Sequence, residues 1–164
     1  MPADFSFYNV VLAAHIAAVV VAFGVLFVYP IMFAVATRAD PRALPALHRA
    51  AVILIGRLMS GGLLVVALAG FYLASKSHAW SDFYVDWGLA AVLSLGALAG
   101  AFLGPRERLL VDLSERDVGA AAGDGVTLSV EYQAVARQVV VASALAGLLV
   151  LITILFMATH LGAA

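Results

Sequence analysis

Cysteine is missing from this 164-residue chain. Thiolate metal ligands, disulfides and cysteine nucleophiles are therefore excluded, and cysteine usage carries no sign of the redox compartment. Charge is the second scarcity. Only 12% of residues are charged while 65% are hydrophobic, against about a quarter and about a half in an ordinary soluble domain. The net charge of −1 comes with no basic face of the kind nucleic acid requires. Catalytic signatures are missing as well: the polar segments hold no Ser/His/Asp arrangement, Gly-rich phosphate loop, nucleotide fingerprint or HExxH pair. The GDG at 123–125 reads as a turn. An enzyme is thus not indicated. The long apolar runs also lack Asp and Glu, and no repeated pair of half-helices is broken by Gly or Pro. Both absences argue against a proton-coupled carrier.

What is present is apolar length. The hydrophobic excess falls into four runs separated by short polar stretches, the pattern of an all-α transmembrane four-helix bundle with helices running up, down, up and down. The expected spans cover about residues 7–35, 51–74, 82–104 and 139–161, in a single membrane domain covering 1–164. The N-terminus lacks a basic n-region and leads into a run too long for a signal peptide, so it is read as the start of the first span. Pro30 is a candidate kink in that span. TRADPRALPALHRA reads as a connector with a short interfacial helix. Residues 105–138 read as an amphipathic link, with Leu109, Leu110 and Leu113 on one side and charges on the other.

The cations give an orientation. Arg38, Arg42, Arg49, Arg57, Arg106, Arg108, Arg116 and Arg137 fall in or beside the first and third links, and only Lys76 lies in the second. Short loops rich in Lys and Arg stay cytoplasmic. Links one and three are accordingly expected inside, with the second link and both termini outside. Tyr8, Phe71, Tyr72, Trp80, Tyr84 and Trp87 then crowd the outer interface, where amphipathic rings prefer to lie. Small residues recur at Gly96, Gly100 and Gly104 and at Ala14, Ala18 and Ala22, as they do where helices pack closely in a bundle or between copies.

Histidines carry what chemistry the sequence suggests. His15 lies inside the first span, and an ionisable residue in hydrocarbon needs a reason to persist. His78 and His160 sit at the outer ends of the second and fourth spans, together with Asp4, Asp82 and Asp86, while His48 is alone at the cytoplasmic side. Imidazoles and carboxylates ligate zinc or copper(II), and imidazoles serve as axial ligands of haem. His15, His78, His160 and Asp86 are therefore candidate metal ligands. His15 and His160 are candidate haem ligands, with Arg57, the other ionisable residue inside a span, a candidate partner for a haem propionate. The competing reading makes His15 a neutral imidazole hydrogen-bonded across the bundle, His78 and His160 ordinary interfacial tips, and Arg57 a snorkelling side chain.

NVVLAAHIAAVVVAFGVLFV, with His15 followed nine residues later by Gly24, resembles the opening of a group of small bacterial four-span integral membrane proteins of unknown function. LMSGGLLVVALAGFYLA, ending past Gly70, is similar to their Gly-punctuated second helix. More distantly, the chain resembles the copper-resistance D-like domain. A Trp between His15 and Gly24 and a Met-rich copper motif are both absent here. The resemblance implies a haem or copper role at His15. The sequence thus sets two expectations. The first is a multi-pass protein of the cell inner membrane that holds haem b, copper or zinc near its outer face for redox or metal handling. The second is a non-catalytic accessory or scaffold bundle that packs against itself or another membrane protein. A small permeation protein is a third, more distant reading. In each case the lipid bilayer is a partner and nucleic acid is not.

Overall fold

The computed structural model describes residues 6–121 and 125–160. Asp4, Leu161 and most of the 123–125 turn lie outside them. The described chain is helical throughout and includes four helices long and apolar enough to cross a membrane: α1 (Phe7–Ala39), α2 (Pro41–Ser77), α3 (Phe83–Gly119) and α4 (Val130–Thr159). At 1.5 Å per residue, helices of 30 to 37 residues run about 45–55 Å, well beyond a hydrocarbon core of about 30 Å. Each helix therefore carries turns that project past the apolar layer.

The helices run past the apolar segments that set the expected spans. The 39–50 connector is helix almost throughout. Asp40 alone breaks the backbone, and its side chain accepts the amide of Arg42 while Pro41 opens the next turn. Pro at a first helical position is tolerated because its missing donor would be unpaired there anyway. Neither does α3 stop at Gly104. It passes Pro105 directly after a π-helical stretch, Leu98–Leu103, whose widened turn accommodates a residue that cannot supply the regular amide. A second π stretch, Leu54–Met59, interrupts α2 and packs against the first. α4 starts at Val130, nine residues before its expected span. Ser129 caps it, accepting the amide of Tyr132 at 3.2 Å, and its own amide donates to Asp117 Oδ2 at 2.8 Å.

Packing along the apolar length is tight and mostly shape-determined. A Cβ on Gly62 of α2 would lie 2.4 Å from Ala22 Cβ and 3.3 Å from its Cα, so only glycine lets α1 and α2 approach this closely. Ala18 and Ala22 of the alanine strip serve this contact, while Ala14 is exposed. Gly147 of α4 makes the same allowance for the Phe27 ring. Gly96 and Gly100, by contrast, have none of the described residues packed over them. The core runs through Phe23, Leu26, Met59, Leu63, Leu95, Leu103, Ala146 and Val150. At one end of the bundle, rings pack on one another, as in Phe7 on Tyr72, Phe71 on Trp80 and Trp87 on Phe156. There the Trp87 indole donates to Thr153 Oγ1 at 3.1 Å. The other end carries the arginines, with α2 and the last turns of α3 packed side by side and linked by Arg49 and Glu115 at 2.6 Å. Both of those side chains are exposed, so the pair contributes no more than about 1 kcal/mol.

Candidate functional site

At the arginine-rich end each of the four helices contributes one polar side chain to a single cluster: Tyr29 from α1, His48 from α2, Glu107 from α3 and Tyr132 from α4. Local sequence explains how each arrives there. His48 rides on the unexpected first turns of α2, and Tyr132 on the unexpected first turns of α4. Glu107 lies one turn past the π stretch of α3, in the row Leu103, Glu107, Leu110, Ser114 and Asp117, which recurs every three or four residues and is buried throughout. The expected amphipathic face is seen in part, with Leu110 and Leu113 buried in the core. Leu109, assigned to the apolar side, is exposed at 40%, and Glu107, assigned to the charged side, is fully buried. Glu107 lies outside the apolar runs, whose lack of Asp and Glu stands, yet it is a carboxylate buried within the bundle.

His48 Nδ1 lies 2.8 Å from Glu107 Oε2, and the two side chains are 1% and 0% exposed. Glu107 Oε1 accepts the hydroxyl of Tyr29, and His48 Nε2 lies 2.9 Å from the hydroxyl of Tyr132. Phe33 stacks on the imidazole with ring centres 4.3 Å apart. The arginines point elsewhere: Arg106 covers the Phe102 ring and donates to Gln138, and Arg116 bonds Asp117, Ser129 and Glu131. His48 is therefore the cation-capable side chain bonded to Glu107. A lone carboxylate taken out of water costs several kcal/mol, and a neighbouring positive charge with hydrogen bonds on the remaining lone pairs offsets that cost.

The arrangement admits two hydrogen-bonded states. With one proton shared by the pair, His48 donates from Nδ1 to Glu107 and from Nε2 to the Tyr132 oxygen, and the cluster is neutral. Without that proton, Tyr132 turns its O–H to donate to Nε2, and the cluster carries one negative charge. A hydroxyl can donate or accept, so both states keep the imidazole fully bonded.

The residues singled out from the sequence lie elsewhere. His15 is half-buried on α1, its ring against Gly70 of α2, where a Cβ would stand 3.3 Å from Cε1; its Nδ1 is buried and meets no partner at hydrogen-bonding geometry among the described residues. His78 and His160 are exposed and close α2 and α4 in left-handed conformations (φ 56° and 48°), their amides bonded to the carbonyls of Ala74 and Phe156. Both are helix caps at positions that usually fall to glycine. The His160 ring meets Tyr84 edge-on at 5.3 Å. Asp86 and Arg57 are exposed, Arg57 on the π stretch of α2 and thirteen residues from Gly70, roughly 20 Å along the helix. Among the described residues, no three His, Asp or Glu side chains form a group able to hold a metal ion. No family model, curated protein or solved structure matches the chain.

The pair's interdependence is measurable. His48→Leu or Glu107→Leu alone strands a buried polar partner and is expected to cost about 3–5 kcal/mol. The double replacement removes both and should cost at least about 1 kcal/mol less than the sum of the two. Equilibrium unfolding in detergent of the four proteins checks this; additive losses would show that the two side chains do not depend on each other.

Proposed function

We propose that this chain is a multi-pass inner-membrane protein that binds and releases one proton at the Tyr29–His48–Glu107–Tyr132 cluster. The observation that carries the reading is the His48–Glu107 contact at 2.8 Å between two side chains almost wholly removed from solvent. Hydrophobic residues of similar volume would serve packing there as well or better. A carboxylate–imidazole pair offers what they do not, a proton held in a shielded place with a hydroxyl on either side to rearrange when it leaves.

Access belongs to one side. Beyond Ser143 the buried interior is apolar through Ala146 and Val150 of α4 and Leu63 and Leu95 of α2 and α3. The cluster instead neighbours the first turn of α4, where Asp117, Arg116 and Ser129 meet. In the proposed arrangement the helices alternate in direction, the arginine-rich end is cytoplasmic, and both termini face outward. The positive-inside tendency supports that orientation, and so the proton is exchanged with the cytoplasm. A C-terminal tag should be reachable by a membrane-impermeant label from outside intact spheroplasts, and labelling only after lysis would reverse the orientation.

Infrared difference spectra between pH steps, taken on the purified full chain, test the proton site. The expected result is a carboxyl and imidazole signal lost in Glu107→Gln, with its imidazole part lost in His48→Gln. Spectra in which neither side chain changes between mildly acid and mildly alkaline pH would make the pair a fixed structural tie and end this reading.

One observation favours a second reading, a haem or copper role at the opposite end of the bundle: the buried, unpartnered Nδ1 of His15. Ligation would give that nitrogen a partner. The contact with Gly70 leaves little room beside it, and the described residues supply no cluster of further ligands. An absorption spectrum and metal analysis of protein expressed with ample haem and copper decides the matter. A Soret band or bound copper lost in His15→Ala supports it, and colourless, metal-free protein rules it out.

A further inference from the structure

We infer that the exposed face of α2 around Arg57 binds an anionic phospholipid, whose headgroup phosphate pairs with the guanidinium. The site lies on the outer surface of the bundle, apart from the proton cluster. Arg57 belongs to the π stretch Leu54–Met59, six residues past the start of the apolar run at about residue 51, roughly 9 Å along the helix. Ile55 and Met59 of that stretch turn into the core, which leaves Gly56, Arg57 and Leu58 outside. Arg57 makes no hydrogen bond or ion pair among the described residues. Its guanidinium stays charged at that depth, and a charge that faces hydrocarbon without a partner is costly.

Helix geometry sets where the charge goes. Side chains on a helix lean toward its N-terminus, over the residues three and four positions earlier. In α2 that is the direction of the arginine-rich end, so the stem of Arg57 leads over Leu54 and the exposed Ile53 toward the headgroup layer. Arg49, two turns further on, is already engaged by Glu115 at 2.6 Å. In the other direction the same face is bare and then apolar. A side chain at Gly56 or Gly61 would stand in open space, and Leu64 and Leu68 follow, 61% and 64% exposed. The hydroxyl of Ser60, beside Gly61, is turned back to the Ile55 carbonyl at 3.1 Å. A single cation above a row of bare and apolar surface fits an amphiphile, with its phosphate on Arg57 and an acyl chain along Gly61, Leu64 and Leu68.

Charge decides the occupant. A second copy supplies no counter-charge at that depth, because the apolar runs hold no Asp or Glu and Glu107 is fully buried. A zwitterionic lipid brings its own cation beside its phosphate, whereas an anionic lipid leaves that charge to Arg57. Arginine meets a phosphate with two parallel N–H donors. Each basic residue near the membrane surface favours anionic lipid by about fivefold.

The test is native mass spectrometry of the full chain in a non-ionic detergent, titrated with phosphatidylglycerol, with phosphatidylcholine of the same acyl chains, or with inorganic phosphate. The expected result is retention of phosphatidylglycerol about fivefold above phosphatidylcholine, with no retention of inorganic phosphate. Arg57→Gln should abolish the preference and leave phosphatidylcholine retention unchanged, which also shows that the variant keeps its surface. Arg108→Gln, which removes another exposed arginine from the same end of the bundle, should leave the preference intact. Equal retention of the two lipids by the wild-type chain overturns the site. So does a preference that survives in Arg57→Gln, or one that falls equally in both variants, which would make it a general attraction to the basic end. Retention of inorganic phosphate at the level of the lipid would replace it with a site for soluble anions, and an acidic membrane protein that co-purifies through Arg57 in place of lipid would also overturn it.

Discussion

Burying Glu107 and His48 in contact is the constraint to which the arginine-rich end of this protein answers. Neither side chain is tolerable alone in that position. A carboxylate without a partner would carry the desolvation cost of a full charge, and an imidazole without one would leave two ring nitrogens to satisfy. Together, and with a tyrosine hydroxyl beyond each, they form a row that runs from α1 through α3 and α2 to α4. Because each helix supplies one member, the rotation and depth of all four are tied at a single level. The secondary contacts around it follow that placement: Phe33 against the imidazole, and Ser129 and Asp117 fixing the start of the helix that carries Tyr132.

Elsewhere the bundle is held by fit. Lipid tails are as apolar as the side chains of the interior, so helix association there depends on close packing and on the few hydrogen bonds available. Gly62 against Ala22, Gly88 against the end of Met157 and Gly147 against Phe27 are contacts of that kind. Such contacts favour proximity but tolerate sliding, whereas a hydrogen bond of 2.8 Å does not. The combination assigns different work to the two ends: a polar tie at one, and interlocking rings with capped helix ends at the other.

The paired π stretches connect these regimes. They pack against each other between the apolar core and the cluster, and one of them directly precedes Pro105. Wide turns recur at functional positions in helical proteins because they place a side chain where the α repeat would not. Glu107 follows such a turn directly.

Much of the architecture was legible in the residues themselves. Four apolar runs, each too long for anything but a helix of spanning length, are a property of composition along the chain, and hydrophobic burial or lipid exposure follows from it with no knowledge of neighbours. The arginine asymmetry and the small residues at Ala18 and Ala22 are equally local, whereas the Gly62 that meets them is identified only by the packing. Tertiary structure alone decided the site. Glu107 stands among Arg106, Arg108 and Asp112 and reads as one more surface charge; only the approach of α1 and α2 removes it from solvent. His48 reads as a lone polar residue in a connector, because nothing in its neighbourhood shows that the connector is helix or that a carboxylate fifty-nine positions away will meet it. His15 attracted the reading because it interrupts an apolar run, a conspicuous signal in one dimension. Hydropathy reports how a residue stands toward solvent on average along the chain, and helix rotation, which determines what each side chain meets, is set by packing among all four helices at once.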